Sequence, residues 1–211
     1  ARQWGFGWQG SLRFWALLTV LGLIAWFPQL RAPATAAALP GQHARSSQSL
    51  WRSPLAWTVT IFFGVQAMFF YCTITWWPTV LQDQGLDART AGWMLSLYQI
   101  VQMPALLLTP IQAERMRDQR PLVLLIVFLF LLGLGLYAVL GVQGAWLVAI
   151  ILGTASGMAL TVSMMFFTLR TRDSMQAAEL SAMAQSVGYM LTAVAPPTFG
   201  WLHDVTGDWV G

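Results

Sequence analysis

Six polar side chains lie inside long apolar stretches of this sequence, and their types define the chemistry that the chain can offer. They are Gln66, Tyr71, Gln99, Gln102, Gln185 and Tyr189. An amide both donates and accepts hydrogen bonds, and a buried polar group without a partner costs roughly 1–3 kcal/mol. These side chains must therefore meet one another or water. We predict that they lie in the wall of a cavity.

A second interpretation of the polar residues remains open, because small and polar side chains also join helices within membranes. We assign this packing role first to the Ser, Thr and Gly positions, and a place in the cavity wall to the glutamines. Spacings of three and four place residues on one helical face. The predicted polar faces are those of Ser96, Gln99 and Gln102, of Thr154, Gly157, Thr161 and Thr168, and of Ser181, Gln185, Gly188, Tyr189 and Thr192.

Residue types that catalysis or metal binding requires are scarce and badly spaced. The single cysteine, Cys72, cannot form an internal disulfide, and His43 and His203 have no ligand-like spacing. We therefore expect no metal site, no cofactor and no enzymatic activity. A remote alternative is an intramembrane serine protease, in which Ser156, preceded and followed by small residues, would be the nucleophile and His203 the base.

The elements that position these residues follow from the distribution of charge. No charged side chain occurs between Arg120 and Arg170, and the gap contains a small turn from Gly141 to Gly144. A helix needs about 20 apolar residues to cross a hydrocarbon core of about 30 Å, so the gap accommodates two crossings joined by a hairpin. The chain is 57% hydrophobic and 9% charged, whereas soluble domains are about 25% charged. The sequence therefore predicts an integral membrane protein.

The predicted fold is all-α, with six transmembrane helices. Pro78 is expected to break the second helix near its end, and the sixth helix is expected to carry Pro196 and Pro197 inside it. The fourth helix is almost entirely Leu, Val, Ile and Phe and is predicted to face lipid. The approximate helix ranges are Leu12–Phe27, Leu55–Leu81, Ala91–Ile111, Leu122–Leu140, Trp146–Leu169 and Ala177–Trp201.

Arginine placement predicts the orientation of the helices, because short loops rich in basic residues stay in the cytoplasm. Alternate connections carry the arginines at positions 31, 45 and 52, at 115, 117 and 120, and at 170 and 172. The opposite connections carry mainly aspartates or no charge. We therefore predict a multi-pass protein of the inner (plasma) membrane with these arginines on the cytoplasmic side.

Three regions follow from this organisation. Residues 1–28 are predicted to form an outer loop and the first helix. Residues 29–53, rich in Pro, Gly, Ser, Ala and Gln, are predicted to form a cytoplasmic linker. Residues 54–211 are predicted to form a bundle of five helices followed by an outer loop.

Several short motifs resemble those of one transporter family. They are Gly64-Val65-Gln66, Phe70-Tyr71, Trp76-Trp77-Pro78, Gly92-Trp93, Ser96-Leu97, Met183-Ala184-Gln185, Gly188-Tyr189, Gly200-Trp201-Leu202-His203-Asp204 and Thr206-Gly207-Asp208-Trp209. With the helix pattern and linker, they resemble the C-terminal half of a major facilitator superfamily transporter, closest to the cyanate permease and nitroimidazole transporter family. The resemblance implies helices six to eleven of a twelve-helix fold, of which seven, eight, ten and eleven line the cavity.

The same resemblance implies a gating loop between helices eight and nine, whose ion pairs would latch the cytoplasmic gate. An ordinary positive membrane anchor is an equally open explanation for this loop. A complete transporter would also contain an N-terminal half, in which an Arg of the first helix would help to hold the solute. The gating-loop residues in this sequence are Glu114, Arg115, Arg117, Asp118 and Arg120.

The function that the resemblance implies is secondary-active transport of a small polar or anionic solute by alternating access, in which the six polar side chains named above would bind the solute. These neutral donors would orient an anion without offsetting its charge. Cyanate-like and nitroimidazole-like compounds are the implied solutes. The expected partners are the lipid bilayer, the solute and the N-terminal half of the same transporter. Nucleic acid is not expected, because the net charge of +3 is small and scattered. The alternative is a truncated helical bundle that transports nothing alone.

Overall fold

A computed structural model describes residues 8–27, 50–116, 118–207 and 209 of the chain. Helices account for nearly all of these residues, which confirms the predicted all-α class. The predicted linker lies outside the described residues as far as position 49. The helices are α1 (Trp8–Trp26), α2 (Pro54–Asp83), α3 (Ala88–Arg115), α4 (Arg120–Leu140), α5 (Ala145–Leu169) and α6 (Ser174–Thr206), with a 3-10 turn at Gly141–Gly144 between α4 and α5.

The first helix belongs to a unit separate from α2–α6 and is described by itself. Its large apolar side chains are exposed, including those of Trp15, Leu23 and Ile24. An exposed apolar surface of this kind suits contact with lipid or with another protein segment rather than water. Its apolar stretch, Leu12–Ile24, is shorter than the length that spans a bilayer by itself.

Three stretches of the described chain are long and apolar enough to cross a membrane: Pro54–Asp83, Ala88–Arg115 and Arg120–Leu169. The third has 50 residues, and a straight helix of that length would measure about 75 Å, more than twice the hydrocarbon core. The Gly141–Gly144 turn divides it into α4 and α5, which pack against each other through Ile126 and Val162. The predicted hairpin is therefore confirmed. Crossings by α1 and α6 stay predictions.

Helices α2, α3 and α6 begin at polar side chains that accept hydrogen bonds from the first turn. Asp87 accepts from the Thr90 amide at 3.1 Å, and Asp173 accepts from the Gln176 amide at 2.8 Å. Such caps satisfy backbone donors that have no partner within the helix. The capping residues Asp87 and Asp173 directly precede α3 and α6, so they mark where the loop ends and the helix begins.

Pro78 does not break the second helix as the sequence led us to expect. Helix α2 continues through Pro78 to Asp83, and α6 continues through Pro196 and Pro197 to Thr206. Proline removes one backbone donor, but neighbouring helices and local side chains can satisfy the carbonyl that loses its partner. The expected break at Pro78 is therefore wrong, whereas Pro196 and Pro197 lie inside α6 as predicted, and both helices are longer than predicted.

Helix α5 is the centre of the α2–α6 bundle. Its alanines Ala149, Ala155 and Ala159 are completely buried, and α3 packs mainly against it while α2 packs mainly against α6. Helix α4 lies on the outside, because Leu124, Leu131 and most of its other leucines are exposed. An apolar exposed helix without hydrogen-bonding needs agrees with the predicted lipid-facing role of α4.

Candidate functional site

The α3–α5 interface brings two backbones into close contact through glycines of α5. A Cβ atom on Gly153 would overlap the carbonyl oxygen of Tyr98, and one on Gly157 would lie 2.6 Å from the carbonyl oxygen of Gln102. Real Cβ atoms do not approach oxygen so closely, so both positions require glycine. Small residues at such positions are the usual means by which helices associate in membranes.

Polar side chains within the same interface contact each other across it. The Gln102 amide donates to the Ser156 hydroxyl at 3.4 Å, and the Thr161 hydroxyl donates to the Leu106 carbonyl oxygen at 3.3 Å. The Tyr98 side chain is completely buried between the rings of Phe70 and Trp77. These contacts show that Gln102 joins α3 to α5 in this structure, whatever its role toward a solute.

The three polar residues predicted to share one face of α3 differ in burial. Its buried residues are Ala91, Tyr98, Gln102, Ala105, Thr109 and Ala113, whereas Ser96 and Gln99 are exposed. A helix turns about 100° per residue, so two steps of three rotate the direction by about 120° between Ser96 and Gln102. Alternating steps of three and four, as from Tyr98 to Gln102 and Ala105, stay on one face. Tyr98 was not among the predicted site residues. Its position four residues before Gln102 could have indicated that the two share one helical face.

The polar face predicted for α6 divides into two neighbouring stripes. Gly188 and Thr192 are buried against α2, whereas Gln185 is half-buried and Tyr189 is 44% exposed. The Gln185 amide donates to Ser181 on the same helix at 2.6 Å, and the Tyr189 ring meets Phe63 edge-on at 5.4 Å between centroids. Gln185 and Tyr189, four residues apart, therefore form a polar stripe beside the α2–α6 interface.

The predicted solute residues of α2 differ in exposure. Gln66 is 7% exposed and lies within the bundle, whereas Tyr71 is exposed and contacts the neighbouring Phe70 ring edge-on. Across the whole predicted set, Gln66 and Gln102 are buried, Gln185 is half-buried, and Gln99, Tyr71 and Tyr189 are exposed. Solute binding by these six residues stays a prediction.

Two cavities lie between α2 and α4, at opposite ends of the bundle. One, of about 350 Å³, is lined mostly by aromatic and apolar side chains, including Trp76, Trp77 and Phe199. The other, of about 570 Å³, is lined by apolar residues and by Arg120 and Arg170. Within the described part of the chain, none of the six predicted solute residues lines either cavity.

The C-terminal ends of α2 and α6 are held together by tryptophans. The Trp76 indole donates to the Pro196 carbonyl oxygen at 2.8 Å, and the Trp209 indole donates to an Asp83 carboxylate oxygen at 2.8 Å. His203 stacks on Trp209 with 3.6 Å between ring centroids. Ser156, by contrast, lies in the α3–α5 interface bonded to Gln102. These contacts are those of helix packing and lend no support to the serine protease alternative.

The predicted gating loop forms one ion pair among its described residues. Arg120 Nε lies 3.6 Å from Asp118 Oδ2, and the Arg120 amide donates to Asp118 Oδ1 at 3.0 Å. The Arg120 side chain is 86% exposed, and an exposed pair of this kind contributes roughly 0–1 kcal/mol. Glu114 and Arg115 are exposed at the end of α3, and Arg117 lies outside the described residues. Gating by this loop stays a prediction.

The fold defines a multi-pass helical membrane protein, and comparison with known proteins identifies its family. The family model described as "Major Facilitator Superfamily" matches residues 4–207, so the chain belongs to that superfamily. An "Uncharacterized transporter YycB" of Bacillus subtilis (strain 168) is 39% identical over 216 residues, covering 99% of this chain and 52% of the relative.

Two further relatives carry names that state a solute. A "2-nitroimidazole transporter" of Escherichia coli (strain K12) is 36% identical, over 97% of this chain and 52% of its own length. The "Cyanate transport protein CynX" of the same organism is 28% identical, over 96% of this chain and 52% of its own length. The chain thus spans about half the length of these relatives. No solved structure matches the chain.

Proposed function

We propose that the chain is the C-terminal part of a secondary-active transporter that moves a small polar or anionic solute by alternating access. Its helices α1–α6 would correspond to helices six to eleven of the twelve-helix fold. Cyanate-like and nitroimidazole-like compounds are the first solutes to test, because two relatives are named for them. The proposed location is the inner membrane, with the arginines of the loops on the cytoplasmic side.

One structural observation supports this proposal. Gln185 and Tyr189 form a polar stripe on α6 that lies beside the α2–α6 interface and is only partly covered by it. An amide and a phenol inside a predicted membrane helix need hydrogen-bond partners, and nothing in the described bundle except Ser181 satisfies the Gln185 amide. A solute cavity on this side of α6 would supply such partners.

The direct test replaces Gln185 by Leu in the full-length transporter. We expect the efficiency of cyanate or 2-nitroimidazole uptake into proteoliposomes to fall about tenfold, which corresponds to the loss of one solute hydrogen bond of about 1.4 kcal/mol. The matched control is Thr198→Val on the same helix, since the Thr198 hydroxyl is exposed and bonds only its own helix at Val194. Unchanged uptake by the Gln185 variant at equal membrane abundance would refute this role.

The contribution of the remaining half is tested with the 211-residue chain itself. Neutral donors orient an anion but do not offset its charge, so we expect the cationic group to come from outside this chain. The chain alone should show no saturable uptake, and co-expression with a matching N-terminal half should restore it. Saturable uptake by the chain alone would contradict the proposal. Failure of co-expression to restore uptake would favour the alternative, an inactive helical bundle.

Orientation is tested by labelling. Single cysteines replacing Gln119, at the start of α4, and Gln143, in the turn before α5, should react from opposite sides of the membrane in a Cys72→Ser background. An impermeant thiol reagent applied outside should modify the cysteine at 143 and spare the one at 119. Labelling of both, or of the one at 119 alone, would overturn the predicted arrangement.

A further inference from the structure

The larger of the two cavities described above has a volume of about 570 Å³. It is a groove between α2, α4 and α5 that is lined by both apolar and charged side chains. Its floor is apolar and includes Leu55, Phe62 and Leu124, and Arg120 and Arg170 lie among its lining residues. We propose that this groove binds an anionic phospholipid, with the phosphate at the two arginines and an acyl chain along the apolar floor.

Charge complementarity is the first argument for this occupant. Arg120 and Arg170 both line the groove, and its described lining contains no carboxylate. Asp118 pairs with Arg120 from outside the lining, at 3.6 Å and in an exposed position, so one negative charge stands against two positive ones. Guanidinium groups present donors in a planar fork that matches the oxygens of a phosphate. The mouth of the groove therefore suits a headgroup of negative charge.

The surroundings of Arg170 add a geometric detail. Its guanidinium carbon lies 5.4 Å from the centre of the Phe166 ring, which itself lines the groove. A cation held over an aromatic face keeps its donors directed to the side, where they remain available to a ligand. Arg170 is also the first residue after α5, so its side chain is placed at the boundary between apolar helix and polar loop. If α5 crosses the membrane as predicted, this boundary lies at the depth of the lipid phosphates.

The apolar floor distinguishes a lipid from a free anion. Leu55 and Leu124 are 48% and 69% exposed, so the groove opens toward the outer surface of α2 and α4 rather than into the bundle. A soluble phosphate would use the arginines and leave this apolar surface uncovered, whereas an acyl chain covers it. Basic pockets between helices on the cytoplasmic side are suited to anionic lipids, and the arginine-rich end is predicted to be cytoplasmic.

The site is independent of solute binding, because the proposed solute stripe of Gln185 and Tyr189 contributes nothing to the groove. The test uses the purified 211-residue chain and the full-length protein, each in detergent. Native mass spectrometry and thermal unfolding are measured with dioleoyl phosphatidylglycerol, dioleoyl phosphatidylcholine and glycerol 3-phosphate. We expect the phosphatidylglycerol to bind and to raise the unfolding temperature, the phosphatidylcholine to bind at least tenfold more weakly, and glycerol 3-phosphate not to compete.

The variant that tests the two cations is Arg120→Gln together with Arg170→Gln. We expect it to fold and to lose the preference for phosphatidylglycerol over phosphatidylcholine. The matched control is Arg89→Gln together with Arg172→Gln, which removes the same charge outside the groove. Retention of the preference by the first variant, or its equal loss in the control, would overturn the proposal.

Two further outcomes would also reject the lipid. Full competition by glycerol 3-phosphate would show that the arginines bind a soluble anion without use of the apolar floor. Binding by the 211-residue chain that disappears in the full-length protein would show that another protein segment covers the groove. Neither outcome bears on solute uptake, so a failure here is distinguishable from a failure of the transporter assignment.

Discussion

The α3–α5 and α2–α6 interfaces are both closed by glycines, but the glycines meet different groups. On the α3–α5 side, Gly153 and Gly157 face backbone carbonyl oxygens of α3. On the α2–α6 side, Gly188 faces the ring of Phe63 and Gly200 faces the ring of Trp76, while a Cβ added to Gly64 or Gly188 would lie 3.3 Å from the Cα of the other, a looser approach than that to the α3 carbonyls. A carbonyl oxygen is fixed by its helix, whereas an aromatic side chain can turn. The first interface therefore has less freedom to adapt than the second.

This difference separates two kinds of contact between membrane helices. Where two backbones touch, any added atom must push the helices apart, and side chains cannot relieve the overlap. Where a backbone touches a ring, a rotation of the ring absorbs part of the change. The α3–α5 pair is thus the more rigid unit of the bundle, and changes to the α2–α6 pair are expected to be milder.

The largest expected effect comes from Gly153→Ala. The new methyl group would overlap the Tyr98 carbonyl oxygen, and we expect a loss of about 1–3 kcal/mol in the free energy of unfolding. The control is Gly135→Ala on α4, where a Cβ would meet nothing within 4 Å. That change should stabilise by about 0.5–1 kcal/mol through helix propensity. Thermal unfolding in detergent measures both, and equal effects would contradict the rigid-interface argument.

A smaller loss is expected for Gly188→Ala. The new Cβ would lie 2.6 Å from Phe63 Cδ1 and 3.3 Å from the Gly64 Cα, and we expect the shift of the buried ring to cost about 1 kcal/mol. A second change, Phe63→Leu, should recover part of this loss because it removes the ring that the methyl group meets. If Phe63→Leu does not recover stability in the Gly188→Ala background, the glycine is required for another reason.

Trp76→Phe is expected to have a weaker effect. It removes the indole hydrogen bond to the Pro196 carbonyl oxygen, and such bonds between membrane helices average about 0.6 kcal/mol. The control is Trp93→Phe, since Trp93 is 61% exposed on α3. Unfolding temperatures should fall for the first variant only. Equal values for the two variants would show that the outer tryptophan contact does not stabilise the α2–α6 pair.

The smallest effect concerns the pH dependence of the α3 cap, outside both interfaces. Hydrogen bonds from the Thr90 hydroxyl and then from the Thr90 amide hold the pKa of Asp87 below its ordinary value of 3.8. Because the folded-state pKa is the lower one, the stabilisation is present above the ordinary value and disappears as the pH falls through the folded value. Asn caps helices about as well as Asp and does not titrate.

We therefore expect the unfolding temperatures of the wild type and Asp87→Asn to converge on acidification. At neutral pH the wild type should be slightly more stable, by on the order of 1 °C. A difference that stays constant from neutral pH to below 3.8 would show that the Asp87 cap does not depend on its charge.

A prediction succeeded when it depended on features that lie along the chain, and it failed when it depended on neighbouring helices. The α4–α5 hairpin was predicted correctly because it needs only apolar length, a glycine turn and the absence of charge. The prediction for Pro78 failed because the fate of one unpaired carbonyl depends on neighbouring groups. Ser96, Gln99 and Gln102 were predicted to share one face of α3, and they differ in burial because successive steps of three drift around the helix.

The sequence by itself determined the helical membrane class and the family motifs, because apolar length and motif residues can be read along one chain. Only the tertiary structure decided which polar groups meet. It placed Gln102 against Ser156 and left Gln185 and Tyr189 beside the α2–α6 interface. It also joined Trp76 to Pro196 across 120 residues. Such pairings depend on how each helix is rotated about its axis and on which helices surround it. Close packing in the folded protein fixes both, whereas the local sequence does not.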